Sequence, residues 1–426
     1  MRLSFPPARS YYLLGNAAAP RPALQGEIKA DVCVLGGGIA GCSAALHLAQ
    51  RGYRVALLEA RSVGYGASGR SGGQTIFGLA ASQQKLSVEV GRADAHRLFN
   101  LSVEALDLTQ SLIREHAIDC DYHPNHVHVA LKARHVQELR QWADELRDEY
   151  AYESASMLDR EETHAHVHSD RYLAGLLDRR SGHLHPLKYT QGLARAAEAA
   201  GAAIYETSEV LHYQDGPQVS VHTAQGTVRC AHLVLCGNAY IGAVAPALAR
   251  RILGVGTYII ATEPLGEAMA HDLLPTNAAV ADINWILDYF RRSQDHRLLF
   301  GGRVSYSSVQ PPRLADSMRK RMVRVFPALA HAKIDYAWGG YLDITLSRAP
   351  NFGRLSANVY YLQGFSGHGI ALAGLAGKLA GEAIAGTAER FDVFARIPHR
   401  DFPGGPIFRR PSLMAAMLYY RLRDLL

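Results

Sequence analysis

The amino-acid sequence predicts a mixed α/β (α+β) fold with two domains: a Rossmann-like domain with a parallel sheet, and a second domain with helices and a mostly antiparallel sheet. The chain has 426 residues, more than one hydrophobic core usually supports. Near its start, a strand, a glycine-rich turn, a helix and a second strand follow one another over residues 31–59. Later, alternating apolar and polar runs at residues 256–263, 285–291 and 296–301 indicate antiparallel strands.

The first βαβ unit carries a phosphate-binding pattern. Gly36 ends the first strand and permits a tight turn, Gly38 lets the backbone approach a pyrophosphate, and Gly41 lets the helix pack closely on the sheet. The next buried strand ends on Glu59, which is placed to accept hydrogen bonds from ribose hydroxyls. The pattern predicts a dinucleotide cofactor, but by itself it does not separate NAD from FAD.

The remaining elements follow from the period of the apolar residues. Helices are predicted at 83–116, 133–150, 187–200, 314–326 and 370–384, and strands at 121–131, 202–206, 219–221, 227–236 and 359–363. We assign residues 1–80, 151–250 and 338–426 to the dinucleotide-binding domain, and residues 81–150 and 251–337 to a substrate-binding domain.

The composition is that of a globular protein, with 48% hydrophobic and 20% charged residues. The net charge of +6 admits an acidic partner, but Lys and Arg are scattered, so we expect a mildly basic surface and no nucleic-acid partner. The five cysteines form no CxxC pair, and no apolar stretch is long enough to span a bilayer. A cytoplasmic location is therefore expected.

Two more glycine-rich segments accompany the first turn. Residues 63–78 contain too many glycines for a regular element and are predicted to be a loop in which the backbone makes the contacts. Residues 364–369 form a glycine-rich turn that opens a helix, whose N–H groups can stabilise negative charge.

Together these segments resemble the FAD-dependent D-amino-acid oxidase (DAO) superfamily, which includes glycine and sarcosine oxidases. The matching residues are 36–41 with Glu59, 66–74 and 364–369. Segments 21–26, 262–265, 338–340, 348–350 and 402–405 are similar to the γ-glutamylputrescine oxidoreductase branch of polyamine catabolism. The resemblance implies a flavoprotein oxidoreductase that oxidises a carbon–nitrogen bond of an amine.

The motifs and the resemblance imply a set of FAD-binding residues, in which Val210 meets the adenine through its backbone. The set is Gly36, Gly38, Ile39, Ala40, Gly41, Glu59, Ala60, Arg61, Gly66, Ala67, Ser68, Arg70, Ser71, Gly72, Gly73, Gln74, Val210, Gly237, Asn238, Gly340, Gly367, His368, Gly369 and Ile370. Some relatives attach FAD through a late cysteine or a histidine in the early loop. No cysteine follows Cys236 here and Ser71 stands near the histidine position, so we expect non-covalent FAD.

The chemistry implied is hydride transfer from the substrate carbon to flavin N5. It gives an imine that hydrolyses to an aldehyde and an amine or ammonia, and the cofactor supplies the difficult step. O2, with release of H2O2, or a quinone or other respiratory acceptor would take the electrons.

The substrate is expected to be an amine whose carboxylate, if any, is remote. Glycine oxidase and its relatives hold the substrate carboxylate with an arginine, and that position falls near Leu342 and Asp343 here. γ-Glutamylputrescine or another γ-glutamyl-polyamine is therefore favoured over a glycine- or sarcosine-type substrate.

Several residues are candidates for substrate positioning and flavin tuning. Asp343 could pair with a substrate ammonium, with Trp338, Tyr341 or Trp285 as an aromatic wall, although core packing explains these aromatics equally well. His368 is a candidate for tuning the reduced flavin or for a structural role. Arg348 is a candidate positioning residue or ion-pair partner.

Histidines spaced two apart invite a metal-site interpretation, because such residues share one strand face. They are His123, His126 and His128, then His164, His166 and His168, then His183 and His185. No acidic or cysteine ligand pattern accompanies them, so no metal site is predicted.

Two further hypotheses belong to other functional classes: an RNA-modifying flavoprotein, and an electron-transfer subunit without its own substrate. Residues 411–426 place apolar side chains at helical spacing, which indicates packing against the protein or a partner subunit, or weak contact with a membrane surface. The sequence does not determine the number of subunits.

Overall fold

The computed structural model describes residues 10–16, 18–305 and 313–405. The strands are β1 Gly26–Lys29, β2 Val32–Leu35, β3 Val55–Leu58, β4 Gln74–Thr75, β5 His123–Ala130, β6 Ala155–Leu158, β7 Ala174–His183, β8 Ala203–Tyr205, β9 His212–Gln214, β10 Val219–His222, β11 Gly226–Cys230, β12 His232–Leu235, β13 Ile252–Thr262, β14 Ala279–Asp282, β15 Tyr289–Arg292, β16 Leu298–Ser305, β17 Ile334–Thr345, β18 Asn351–Arg354 and β19 Val359–Gln363. The α-helices are α1 Ile39–Ala49, α2 Gln83–Val90, α3 Arg92–Glu115, α4 Ala133–Asp148, α5 Arg160–His164, α6 Pro186–Ala199, α7 Pro246–Arg251, α8 Glu267–Leu273, α9 Leu314–Val325, α10 Gly369–Ile384 and α11 Glu389–Ala395.

The predicted dinucleotide-binding sheet has six strands in the order β18-β19-β12-β2-β3-β8. The last five of these strands are parallel, and β18 pairs antiparallel with β19 at one edge. Strands β2 and β3 are short apolar runs because both faces of the sheet are covered. Helices α1, α6 and α10 lie in the core cluster on one face.

A small sheet in the order β1-β11-β10-β9 covers the opposite face. Its side chains Val219, Val221 and Val228 share a core cluster with Cys33 and Leu233 of the parallel sheet. The buried layers thus fix the strand ends at which the glycine-rich turns lie.

The third sheet has nine strands in the order β17-β13-β16-β15-β14-β5-β7-β4, with β6 paired to β7. Its pairs are antiparallel except for β14 with β5. Helix α9 packs on it through Met318 and Met322 in a separate core cluster. The predicted combination of a parallel sheet with a mostly antiparallel one is confirmed.

The structure differs from the sequence prediction at several places, and the strand predicted at 227–236 is two strands, β11 and β12, in different sheets. Residues 155–158 and 174–183, assigned to the dinucleotide-binding domain, form β6 and β7 of the nine-stranded sheet. Strand β17 of the same sheet, Ile334–Thr345, runs across the boundary predicted between residues 337 and 338. The helix predicted at 83–116 is divided at Gly91, whose φ of 83° cannot continue a helix. The domain boundaries themselves stay a prediction.

In the described ranges, no single helix is long and apolar enough to cross a membrane. One sharply bent pair, α10 with α11, meets the length and composition requirements only when its two helices are counted together. Residues 411–426, for which membrane or subunit contact was considered, lie outside the described residues.

Candidate active site

The first glycine turn has no room for side chains. Gly36 has φ of 106°, and a Cβ there would lie 2.7 Å from the carbonyl oxygen of Cys236. A Cβ on Gly41 would lie 1.9 Å from the carbonyl oxygen of Gly36. Glycine at both positions brings the N-terminus of α1, whose first N–H groups have no partner within the helix, directly against the turn, as a phosphate site requires.

The second glycine-rich loop closes over this helix start. Ser68 Oγ accepts a hydrogen bond from the N–H of Ile39 at 3.0 Å, and a Cβ on Gly38 would lie 2.8 Å from the same oxygen. Gly66 and Ala67 lead into the short 3-10 turn Ala67–Gly69. The helix N-terminus and the loop therefore form one continuous surface of backbone.

Glu59 lies at the end of β3, where the motif predicts it. Its Oε2 accepts from the N–H of Gly37 at 2.7 Å and its Oε1 from the N–H of Arg61 at 2.9 Å. Burial raises the pKa of Glu59, while these backbone N–H groups oppose the rise. Each carboxylate oxygen can accept more than one hydrogen bond, so the predicted ribose contact fits this geometry.

The residues predicted to contact the adenosine part of FAD differ in solvent exposure. Ala60 and Arg61 are exposed, whereas Val210 is buried. The N–H of Ser208 donates to the carbonyl of Glu59 at 2.8 Å, which draws the chain before Val210 to the end of β3. The structure thus brings these residues to one edge of the parallel sheet.

Trp338 fixes the glycine-rich loop from the side of β17. Its Nε1 donates to the carbonyl of Arg70 at 2.9 Å, and only 1% of Trp338 is exposed. Arg70 in turn donates from Nε to the carbonyl of Tyr65 at 2.7 Å, and a Cβ on Gly340 would lie 3.4 Å from Arg70 Cβ. Trp338 was predicted either as an aromatic wall for substrate or as core packing; in the structure it is buried and hydrogen-bonded to the loop.

The end of this loop is as crowded as its start. A Cβ on Gly72 would lie 2.5 Å from the ring of Tyr289, and one on Gly73 would lie 2.1 Å from the carbonyl oxygen of Leu184. Gln74 donates from Nε2 to the carbonyl of Val280 at 3.1 Å. Buried Ser71 Oγ has no hydrogen-bond partner among the described residues.

The third turn is built on Asp343. The Asp343 carboxylate accepts from the backbone N–H of Gly364 and, at 3.1 Å, from Asn238 Nδ2. Burial raises its pKa to about 6. The sequence prediction placed this carboxylate against a substrate ammonium; in the structure it instead faces the groups that shape the turn.

Gly237 and Asn238 connect the first and third turns. They directly follow Cys236, whose carbonyl covers Gly36, and Asn238 reaches Asp343. Since β17 carries both Trp338 and Asp343, one strand holds the loop and the last turn together. The structure therefore brings all three predicted glycine segments to one site.

The third glycine-rich turn, residues 364–369, borders open space just before α10. Gly367 has φ of 100°, and a Cβ there would meet no atom within 4 Å. Gly369 and buried Ile370 form the first turn of α10. His368 Nδ1 is buried without a hydrogen-bond partner among the described residues. Burial, the charge of Arg348 and the proximity of His128 lower the pKa of His368 to about 3, so its ring is neutral.

Three histidines that were not predicted as site residues adjoin this region, and two of them, His126 and His183, are buried. His126 Nε2 lies 3.3 Å from Gln74 Oε1, and its ring centroid is 4.4 Å from that of His128. His183 Nε2 lies 2.8 Å from the carbonyl oxygen of Asn277. Burial lowers the pKa of all three. In the described part of the chain, no group of ligand-type residues has an arrangement that could hold a metal ion.

The other aromatic candidates differ in exposure. Tyr341 is 1% exposed and packs against Tyr240, with ring centroids 6.2 Å apart. Trp285 is 49% exposed, and the guanidinium carbon of Arg348 lies 5.9 Å from its ring centroid. Trp285 is therefore the one of the three predicted aromatics with a substantially exposed surface.

The fold and this site define a FAD-dependent oxidoreductase. Residues 31–383 match the DAO family of FAD-dependent oxidoreductases. The chain belongs to that family, and it is a FAD-dependent amine oxidoreductase.

Named relatives extend over nearly the whole chain. It is 41% identical to γ-glutamylputrescine oxidoreductase of Escherichia coli K12 over 417 residues, or 97% of this chain and 98% of the relative. It is 40% identical to the probable oxidoreductase OrdL of Haemophilus influenzae, over 98% and 97% of the two chains. The glycine oxidase structure from Bacillus cereus superposes with a TM-score of 0.72 at 22% identity, covering 87% of this chain and 99% of that one.

The residues present fit FAD. Gly36, Gly38 and Gly41 have no room for a Cβ, which keeps the start of α1 close against the turn, and Gly367 borders open space. Ser71 Oγ and His368 Nδ1 are buried polar atoms without a partner among the described residues, as expected where a polar cofactor completes the site.

Proposed function

We propose that this enzyme oxidises γ-glutamylputrescine, or another γ-glutamyl-polyamine, at its terminal amine. When bound, FAD supplies a two-electron acceptor that takes a hydride equivalent from the carbon beside the amine nitrogen. Loss of two electrons and two protons gives an imine, and addition of water gives an aldehyde and ammonia. Electrons would pass to O2 or to a quinone or other respiratory acceptor.

The observation that carries the proposal is the position of Arg348. Its Nη2 lies 3.3 Å from the carbonyl oxygen of Ser366, within the turn before His368, and its guanidinium lies over Trp285. Arg348 has φ of 67°, an uncommon conformation for an arginine, and such strain often marks a functional position. A cation here suits a substrate whose carboxylate is several bonds away from the oxidised carbon.

The rest of the site suits a neutral amine. The rings of His368, His126 and His128 are uncharged near neutral pH because burial lowers their pKa. Uncharged surroundings favour loss of the ammonium proton, which must precede hydride transfer.

The alternative of a glycine- or sarcosine-type substrate is less well supported. Strand β17, Ile334–Thr345, contains no arginine to clamp a carboxylate next to the reacting carbon. The similarity to glycine oxidase structures is below 25% identity and concerns the fold alone.

The proposal is tested by product analysis. Purified enzyme is incubated in air, or with a quinone or dye acceptor, with γ-glutamylputrescine, putrescine, sarcosine or glycine. We expect aldehyde and ammonia in equal amounts from γ-glutamylputrescine, with slower turnover of putrescine. Turnover of glycine or sarcosine alone would overturn the proposal.

A further inference from the structure

A buried arginine lies on the loop predicted to wrap the flavin. Arg291, in β15, is 3% exposed. Its Nε donates to the carbonyl of Gly72 at 2.7 Å, Nη1 to the carbonyl of Arg292 at 3.2 Å, and Nη2 to the hydroxyl of Tyr12 at 3.2 Å. All three partners are neutral oxygens, so these contacts leave the positive charge uncompensated.

Arg297 provides the contrast within the same sheet. It is 7% exposed, but its guanidinium forms salt bridges with Asp295 at 2.7 Å and with Asp335. Arg291 has no such salt bridge among the described residues. Burial is the main cause that lowers the pKa of both His183 and His185, and the charge of Arg291 lowers it further. A buried charge without a counter-ion is costly and calls for a ligand or a function.

Tyr12, near the N-terminus of the chain, accepts a hydrogen bond from Arg291. It is completely buried in the 3-10 turn Tyr11–Leu13. Its ring centroid lies 5.3 Å from that of Trp338 and 4.8 Å from that of His185, both edge-on. Since Trp338 holds the carbonyl of Arg70 and Arg291 holds that of Gly72, Tyr12 lies between the two supports of the loop.

We propose that Arg291 is a cofactor-positioning residue: held by Tyr12, it fixes residues 70–73 against FAD and places a buried positive charge that favours the reduced flavin. Reduction adds negative charge to the flavin, and a nearby cation in a low-dielectric site stabilises that charge. The inference rests on the proposed contact between this loop and the flavin. It is independent of the amine.

The test separates an effect of the Arg291 charge on the flavin from a loss of protein stability, and it uses no substrate. In Arg291→Gln we expect a more negative flavin midpoint potential and FAD binding weaker by about tenfold or more, because charged hydrogen bonds are lost. Arg291→Lys keeps the charge and should largely restore the potential. Arg297→Gln removes a charge already neutralised, so it should lower the unfolding temperature without moving the potential.

Potentials are measured against a reference dye during anaerobic reduction, and FAD affinity by fluorescence titration of the apoprotein. If the flavin midpoint potential is unchanged in Arg291→Gln, or shifts equally in Arg297→Gln, the Arg291 charge does not stabilise the reduced flavin. Tyr12→Phe keeps the packing of the ring but should still weaken FAD binding several-fold. Unchanged FAD binding in this variant would overturn the proposal that Tyr12 holds Arg291. Because no amine is added, failure here is distinct from failure of the proposed substrate.

Discussion

At the scale of single residues, glycines shape the predicted cofactor site, because no volume is free for a side chain at their positions. Gly41, Gly69 and Gly73 would each place a Cβ within 2.1 Å of a backbone oxygen. Backbone cannot yield as a flexible side chain can, so these positions tolerate no substitution without movement of the turn itself.

Gly41→Ala should abolish stable FAD binding, because relief of the 1.9 Å contact with the Gly36 carbonyl moves α1 away from the turn. Gly381→Ala is a matched control, since its Cβ would meet nothing nearer than 3.6 Å. The measurement is the flavin content of each purified variant. Full flavin occupancy in Gly41→Ala would contradict the assignment of this turn.

Arg348→Gln should raise the KM for γ-glutamylputrescine by about tenfold, the loss of one charged interaction, while kcat falls less. The KM for putrescine, which has no carboxylate, should stay nearly constant. Steady-state kinetics on both amines check this, with Arg348→Lys expected to be intermediate. Equal effects on the two amines would show that Arg348 does not recognise a carboxylate.

The site residues that could be predicted from the sequence belong to local motifs, whereas the residues that were missed meet only in the folded protein. Gly36, Gly41 and Glu59 are found because local chemistry at fixed spacing specifies them. Tyr12 and Arg291 meet across 279 positions of sequence, and no local pattern encodes that contact. Asp343 was singled out by position, but its partners in a later turn could not be foreseen.

At the scale of elements, close packing on α10 holds α1, the helix predicted to bind the pyrophosphate, in place. A Cβ on Gly377 would lie 2.5 Å from the carbonyl oxygen of Ala40 and 2.5 Å from the nitrogen of Ala44. The helices can approach this closely only because Gly377 has no side chain.

Gly377→Ala should destabilise the enzyme by about 1–3 kcal/mol, the usual cost of overpacking, and weaken FAD binding as α1 shifts. Gly374→Ala in the same helix has room, with Tyr189 Oη 3.7 Å away, and should be neutral or stabilising. Urea denaturation of both variants measures the difference. A Gly377→Ala variant as stable as Gly374→Ala would contradict the packing argument.

Elements with a clear apolar period were predicted well, as α10 and β19 show. Strand β7 was missed because its sequence includes Asp178, Arg179 and Arg180, which hide the alternation. Asp178 is nevertheless buried, since Tyr152 Oη donates to its carboxylate at 2.8 Å. Such polar pairing depends on a tertiary contact and leaves no local signal.

At the scale of the whole molecule, buried neutral histidines connect stability to pH. Burial is the main cause that lowers the pKa to about 3 or 4 in His47, His128, His185, His368 and His399. Between these values and the unfolded pKa of about 6.5, the unfolded chain binds more protons than the folded one. This contribution to stability is therefore present above that unfolded pKa and lost as pH falls.

We expect the holoenzyme to lose stability between about pH 7 and pH 5, by up to about 1.4 kcal/mol per pH unit for each such histidine. Burial raises the pKa of Asp282 to about 7 and that of Asp343 to about 6, so these two carboxyls favour the folded state as pH falls. They are fewer than the five histidines. Urea midpoints across this range measure the balance. Equal or greater stability at the acidic end would contradict it.

Non-covalent attachment of FAD is a separate expectation for the whole enzyme. No cysteine follows Cys236, and Ser71 stands in the early loop. Acid precipitation should leave all of the flavin in the supernatant, where its absorbance is read. Flavin retained in the washed precipitate would disprove non-covalent binding.

We propose that FAD bound at these three glycine-rich segments accepts electrons from a γ-glutamyl-polyamine, and anaerobic rapid mixing of the enzyme with amines is the decisive measurement. The oxidised enzyme is mixed with γ-glutamylputrescine, and the flavin absorbance is followed beside parallel mixtures with putrescine, sarcosine and glycine. We expect γ-glutamylputrescine to bleach the flavin completely, at a rate that saturates at a lower concentration than with putrescine. Flavin that stays oxidised with γ-glutamylputrescine, yet is reduced by glycine or sarcosine, would contradict it.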